Sequence, residues 1–188
     1  MHTLNDFSVL ILPGLGGAGE DHWQTHWERA FPEFVRVEQA DWDRPVYDEW
    51  AARLTEAVGK APKPVILVPH SAGTSLVMKW SFDQPTVAMK VAGAFMVAPS
   101  DRDRWKPGDP SGPQGFGGMI LKPLPFPSAV VAGRDDDRVT YDRAQEFAKA
   151  WGSIFFDGGM NGHLGSAARL GLWPRGLVFF GQFIATLS

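Results

Sequence analysis

A serine hydroxyl becomes an effective nucleophile only when a base takes its proton and nearby N–H groups meet the negative charge that develops. Pro69-His70-Ser71-Ala72-Gly73 offers such a serine: it holds the Ser-x-Gly half of a Gly-x-Ser-x-Gly turn, between an apolar strand-like run and a helix-like one. A sharp turn there would lift the Ser71 hydroxyl above a sheet, with a helix N-terminus behind it. Gly73 suits a helix that must pass close to a neighbouring strand. Pro69 stands where the pattern has Gly, so one N–H is lost and a ring enters a crowded turn. Taken alone, so short a motif also describes a serine that merely caps a helix.

The base and its orienting acid are expected in the chain order Ser, acid, His. Of the five histidines only His163 lies downstream of Ser71, in the glycine-rich segment Gly158-Gly159-Met160-Asn161-Gly162-His163. His70 neighbours the nucleophile, and adjacent side chains on extended backbone point apart, so it reads as buried support. Between Ser71 and His163, the turn Gly133-Arg134-Asp135-Asp136-Asp137-Arg138 follows an apolar run and supplies three candidate acids. A triple aspartate usually makes a solvated turn, so at most one is claimed. Asp101, beyond the preceding apolar run, is the reserve candidate. Backbone N–H groups of Leu15, in Pro13-Gly14-Leu15-Gly16-Gly17, and of Ala72 are assigned to the oxyanion site by the architecture, since such donors have no side-chain signature.

These groups need a scaffold, and the chain alternates short apolar runs with helix-length segments, the pattern of βα units on a parallel sheet. Strands are predicted at Ser8 to Leu12, Val35 to Val37, Val65 to Val68, Ala94 to Ala98, Ala129 to Ala132 and Ile154 to Phe156. Helices are predicted from about Glu20 to Ala30, after Pro45 with Val46, Trp50, Leu54 and Val58 on one stripe, from Ser71 to about Gln84, from Tyr141 to Trp151, and from Pro174 to about Leu187. The fold class is therefore α/β: one domain over residues 1–188, a mostly parallel sheet with helices on both faces and no separate lid domain. The excursion between Pro99 and Pro127 is rich in Pro and Gly and reads as a long rim loop. Trp105, Phe116 and Met119 are its candidate substrate contacts.

Gly14-x-Gly16-x-x-Gly19 also matches a dinucleotide fingerprint, which makes a dinucleotide-binding oxidoreductase the rival enzyme class. Against it, Glu20 and Asp21 would stand where pyrophosphate needs positive charge. His22 and His26 have the i, i+4 spacing of a metal pair but lack the zincin glutamate, so neither metal nor cofactor is expected. A second rival is a hydrolase fold kept as an interaction module, with catalysis weakened by Pro69.

Eighteen basic and twenty-one acidic side chains give a net charge of −3 with no Lys/Arg block, which disfavours nucleic-acid and membrane partners and leaves a small acyl substrate. The chain has no cysteine, so disulfides and a thiol nucleophile are excluded. No basic n-region precedes the apolar run that stops at Pro13-Gly14, and the chain is read as cytoplasmic.

Pro13-Gly14-Leu15-Gly16-Gly17, Asp21-His22-Trp23-Gln24 with Trp27, His70-Ser71-x-Gly73, the Asp136 turn, Gly162-His163 and Trp173-Pro174 occur in an order that resembles one family, the small serine hydrolases grouped with retinoblastoma-binding protein nine. The resemblance implies an α/β-hydrolase fold and a serine hydrolase, esterase-like, with a catalytic triad of Ser71 as nucleophile, Asp136 rather than Asp135 as acid, and His163 as base. It places His22 near the mouth of the site. Gly133, Asp137 and Pro69 depart from the family pattern.

Overall fold

The computed structural model describes residues 3–104 and 112–187. Its centre is a six-stranded sheet in the order β2-β1-β3-β4-β5-β6. The strands are β1 (Ser8–Leu12), β2 (Phe34–Arg36), β3 (Val65–Pro69), β4 (Val91–Val97), β5 (Ser128–Ala132) and β6 (Ile154–Asp157). Every neighbouring pair is parallel. The helices are α1 (Trp23–Ala30), α2 (Tyr47–Lys60), α3 (Ala72–Asp83), the short α4 (Pro85–Ala88), α5 (Tyr141–Trp151) and α6 (Pro174–Ile184).

Strand side chains alternate between faces, and each face has its own core. Leu10 and Leu12 of β1 join Leu67, Met96 and Val130 under α2, α3 and α5. Val9 and Ile11 join Val68, Phe95 and Val131 under α1 and α6, where Trp23, Trp27, Phe180 and Phe183 are buried. Because both faces are covered, the inner strands read as unbroken apolar runs, which is how the sequence shows them. The α/β architecture expected from the βα alternation is what forms. No helix among the described residues is long and apolar enough to cross a membrane.

Where boundaries differ from expectation, local chemistry accounts for it. The first helix begins at Trp23 rather than Glu20, because His22 is its N-cap and accepts the Gln24 N–H on Nδ1. The glycine-rich loop therefore does not open directly into a helix, as a dinucleotide fingerprint requires. Pro85 disfavours helical backbone at Gln84, so α3 stops at Asp83 and a separate short helix follows. β4 starts at Val91, not Ala94; Gly93 lies within it because a Cβ there would stand 2.7 Å from the Phe183 ring of α6.

The sheet order reverses direction between β1 and β3, since the chain goes from β1 outward to β2 and then returns to the other side of β1. In open α/β sheets the crevice at the carboxyl ends of such strands is the natural binding place. Leu15 follows β1 and Ser71 follows β3, so they sit on the two sides of that crevice.

Candidate active site

Ser71 occupies the turn between β3 and α3 with φ 55° and ψ −121°, a left-handed conformation that side chains adopt only under constraint. The constraint is visible in the backbone around it. His70 N–H donates to the Leu12 carbonyl and Ser71 N–H to the Val97 carbonyl, which ties the turn to the strands on either side. A Cβ on Gly73 would stand 2.4 Å from the Leu12 carbonyl oxygen, so only glycine lets α3 start this close to β1. Pro69 is the last residue of β3. Regular pairing with β4 ends at Leu67 and resumes as an isolated bridge from His70 to Val97. The missing N–H thus falls in a gap of the ladder, and the turn forms around it.

Three side chains converge above this turn. His163 Nε2 lies 2.7 Å from Ser71 Oγ, and His163 Nδ1 lies 2.8 Å from Asp136 Oδ2 and 3.0 Å from Oδ1. A carboxylate can only accept, so Nδ1 carries the proton and Nε2 is the acceptor for the serine hydroxyl. The Asp136 side chain is fully buried, and its Oδ1 also accepts the Arg138 N–H at 2.8 Å. Of the other candidate acids, Asp135 is exposed and also accepts the Gly162 N–H at 2.8 Å, which anchors the segment leading into His163. Asp137 is exposed beside Arg138. Asp101 turns away toward Arg143 at 3.3 Å, so the reserve position does not meet the histidine.

The segment that carries His163 is held from behind. His70 Nε2 donates to the His163 carbonyl at 2.9 Å, and Trp23 Nε1 donates to the adjacent Leu164 carbonyl at 2.9 Å. Gln24 Nε2 donates to the Val68 carbonyl at 3.0 Å, on the strand that leads to Ser71. Thus α1 braces both the strand that leads to Ser71 and the segment that carries His163. His22 stands edge-on to His70 with ring centroids 4.7 Å apart, and its flank lines the cleft. Burial, reinforced by Arg36 and the neighbouring histidines, lowers its pKa to about 4. Burial also holds His70 well below its ordinary value, so both rings are neutral at ordinary pH.

The cleft around Ser71 has a volume of about 230 Å³. Leu15, His22 and Ala72 line it, and the Leu15 and Ala72 N–H groups have no acceptor among the described residues. Ser100 was not foreseen: its hydroxyl lies 3.1 Å from Ser71 Oγ. It follows β4 with no motif around it, and only the sheet order brings it here. Trp105 lies outside the described residues. Phe116 and Met119 do not line this cleft, a correction to the rim expectation. Phe116 is 1% exposed and packs edge-on against Tyr47 and Trp50 of α2. Met119 lies against the same core, and its N–H donates to Asp103. That half of the excursion is strapped down by hydrogen bonds between Gln114 and the Pro45 and Tyr47 backbone, so it closes the core rather than the site. Among the described residues of the excursion, Ser100, Arg102 and Pro113 reach the cleft.

The profile of the serine hydrolase family matches residues 9–182. A structure from Pectobacterium atrosepticum, described as a YdeN-like hydrolase, is 30% identical, with a TM-score of 0.85 over 97% of this chain and 93% of its own. The ydeN gene product of B. subtilis is 14% identical, with a TM-score of 0.73 over 95% of this chain and 98% of its own. Est1E of Butyrivibrio proteoclasticus, solved with ferulic acid bound, is 14% identical with a TM-score of 0.68, covering 95% and 89%. At 14% identity the likeness is one of fold. No curated protein matches the chain.

Proposed function

The chain belongs to the serine hydrolase family, and we propose that it cleaves a small acyl ester through a Ser71–His163–Asp136 triad and an acyl-enzyme. The observation that carries this reading is the unbroken hydrogen-bond line from Ser71 Oγ through His163 to the buried Asp136 carboxylate. In the first half-reaction Ser71 Oγ bonds to the substrate carbonyl carbon while its proton passes to His163 Nε2. The Asp136 carboxylate then faces an imidazolium, which it stabilises without taking the proton. The carbonyl oxygen, now an oxyanion, is met by the Leu15 N–H from the loop after β1 and by the Ala72 N–H at the N-terminus of α3. The bond to the leaving oxygen breaks as His163 returns the proton to it. Water attacks the acyl-enzyme by the same route, giving the free acid and Ser71 Oγ–H.

An ester is favoured over a peptide because the cleft lies above inner strands whose backbones are paired on both sides, leaving no sheet edge for an extended peptide to join. Within the family, the grouping with retinoblastoma-binding protein nine rests on the sequence blocks His22-Trp23-Gln24 and Gly162-His163; in the fold Trp23 braces the segment after His163 and Gln24 the strand before Ser71. A fluorophosphonate probe tests the reading: it should label the wild type at Ser71 and leave Ser71→Ala unlabelled. A folded Ser71→Ala protein that still turned over a p-nitrophenyl ester would sink the mechanism.

A further inference from the structure

A second hydroxyl touches the Ser71 oxygen and has no part in the triad. Ser100 Oγ lies 3.1 Å from Ser71 Oγ, buried in the wall of the cleft. The backbone before it sets its place. At the end of β4 the buried Ala98 turns through φ 47°, a left-handed conformation that costs alanine energy, and Pro99 follows. The Ala98 N–H donates to the Val131 carbonyl at 2.8 Å and the Ser71 N–H to the Val97 carbonyl at 3.1 Å. The ends of β3, β4 and β5 are thus tied together where the two hydroxyls meet. Because β3 lies between β1 and β4, Ser100 reaches Ser71 from the side away from Leu15.

The direction of this hydrogen bond follows from the others. His163 carries its proton on Nδ1, facing the Asp136 carboxylate, so Nε2 accepts the single hydrogen of Ser71. In the pair of hydroxyls Ser100 is then the donor, and its O–H meets a lone pair of the nucleophile's own oxygen.

This bond is already made in the free enzyme, so it lends little to the attack of Ser71; only an interaction that strengthens toward the transition state accelerates a step. The second half-reaction differs. In the acyl-enzyme Ser71 Oγ is an ester oxygen, a weak acceptor whose lone pairs are drawn into the carbonyl. Water gives a proton to His163 and bonds to the carbonyl carbon. The C–Oγ bond then breaks, its electron pair stays on Oγ, and His163 Nε2 returns the proton there. Charge builds on Oγ as it leaves, and the Ser100 O–H, keeping its own proton, bonds it more strongly as this happens.

We propose that Ser100 is a further catalytic residue, a hydrogen-bond donor that speeds the departure of Ser71 Oγ from the acyl-enzyme. The proposal rests on the serine-hydrolase reading of Ser71.

The test uses p-nitrophenyl acetate at saturation, with an acid quench at steady state and intact-mass measurement of the acetylated fraction. Dividing kcat by that fraction yields the deacylation rate constant, and dividing it by the remaining fraction yields that of acylation. Ser100→Ala should accumulate acetyl-enzyme, with deacylation slowed about tenfold and acylation within about threefold of the wild type. Ser100→Thr, which keeps a hydroxyl, should stay nearer the wild type. If Ser100→Ala does not fold, Ser100→Cys, a weaker donor of similar shape, should show the same split to a smaller degree. A packing role would lower both constants together. That result, or deacylation within about threefold of the wild type, overturns the role of Ser100, while labelling of Ser71 by fluorophosphonate keeps the hydrolase reading standing. A wild type that is labelled but releases no acetate also overturns it. A wild type that neither labels nor turns the ester over overturns both readings.

Discussion

The Nε2–H of His70, the residue before the proposed nucleophile Ser71, donates to the backbone carbonyl of His163, the residue proposed as base, at 2.9 Å. The two segments that must stay in register for proton transfer are therefore joined directly. Ser71 Oγ and His163 Nε2 lie 2.7 Å apart because their backbones are also tied.

Breaking that tie should slow chemistry more than binding. His70→Phe keeps a ring of similar shape but removes the donor, and kcat on a short p-nitrophenyl ester is expected to fall by about 10- to 100-fold with KM nearly unchanged. His70→Gln retains an N–H donor and should recover part of the loss. A normal kcat in His70→Phe would show that Trp23 and Asp135 hold the His163 segment without this tie.

The three clustered aspartates should separate by role. Asp136→Asn is expected to lower kcat by about 10⁴, because an amide neither fixes the His163 tautomer nor stabilises its protonated form. Asp135→Asn keeps an oxygen for the Gly162 N–H and should stay within about tenfold, whereas Asp135→Ala loses that anchor and should cost more. Normal turnover in Asp136→Asn with a large loss in Asp101→Asn would move the acid to the end of β4.

Ser71 stores backbone strain that a glycine would release. A left-handed non-glycine residue costs on the order of 1–3 kcal/mol, against about 1 kcal/mol of chain entropy that glycine gives up on folding. Ser71→Gly is therefore expected to be inactive yet more stable by about 1 kcal/mol in urea denaturation. An unchanged or lowered midpoint would show that the turn holds no such strain.

Stability should depend on pH through His22 and His70. Both are neutral in the fold, while the unfolded chain binds a proton on each below its ordinary value near 6.5. Unfolding thus takes up protons, and stability is full above about pH 6.5 and is lost as pH falls toward the folded His22 value of about 4. From pH 7 to pH 5 His22 alone should contribute a loss of about 2 kcal/mol. Comparing that loss in the wild type and in His22→Gln checks it, since the variant should lose less.

Phe116→Ala should report on the core. Emptying the space between Tyr47 and Trp50 is expected to cost about 3–5 kcal/mol, measured by urea denaturation. A large change in ester preference with little change in stability would return Phe116 to the site.

Much of the scaffold was readable because the chemistry that specifies it is local. Unbroken apolar runs such as Val9 to Leu12 and the turn chemistry around Ser71 carry their structure in neighbouring residues. Ser71, His163 and the Asp136 turn could be named from order and setting, and those side chains do meet. Ser100 could not, since a serine after a strand has no signature until β4 is known to lie beside β3. Phe116 failed for the opposite reason: an aromatic in a glycine-rich loop suggests a mobile rim, but here backbone bonds from Gln114 to the start of α2 fold it inward. Trp23 and Gln24 were read only as part of a family block, and their polar atoms brace the site.

The all-parallel sheet also sets the order in which the molecule can acquire its reactivity. No two adjacent strands are joined by a hairpin, so every pairing must close a long stretch of chain, and each closure is paid in entropy before contact repays it. The Ser71–His163 contact spans 92 positions and needs β3, β5 and β6 all seated. Helices α2 and α5, whose contacts are local, can form long before that. Reactivity toward a serine-directed probe is then a clock for the end of folding: during renaturation it should trail the helical signal.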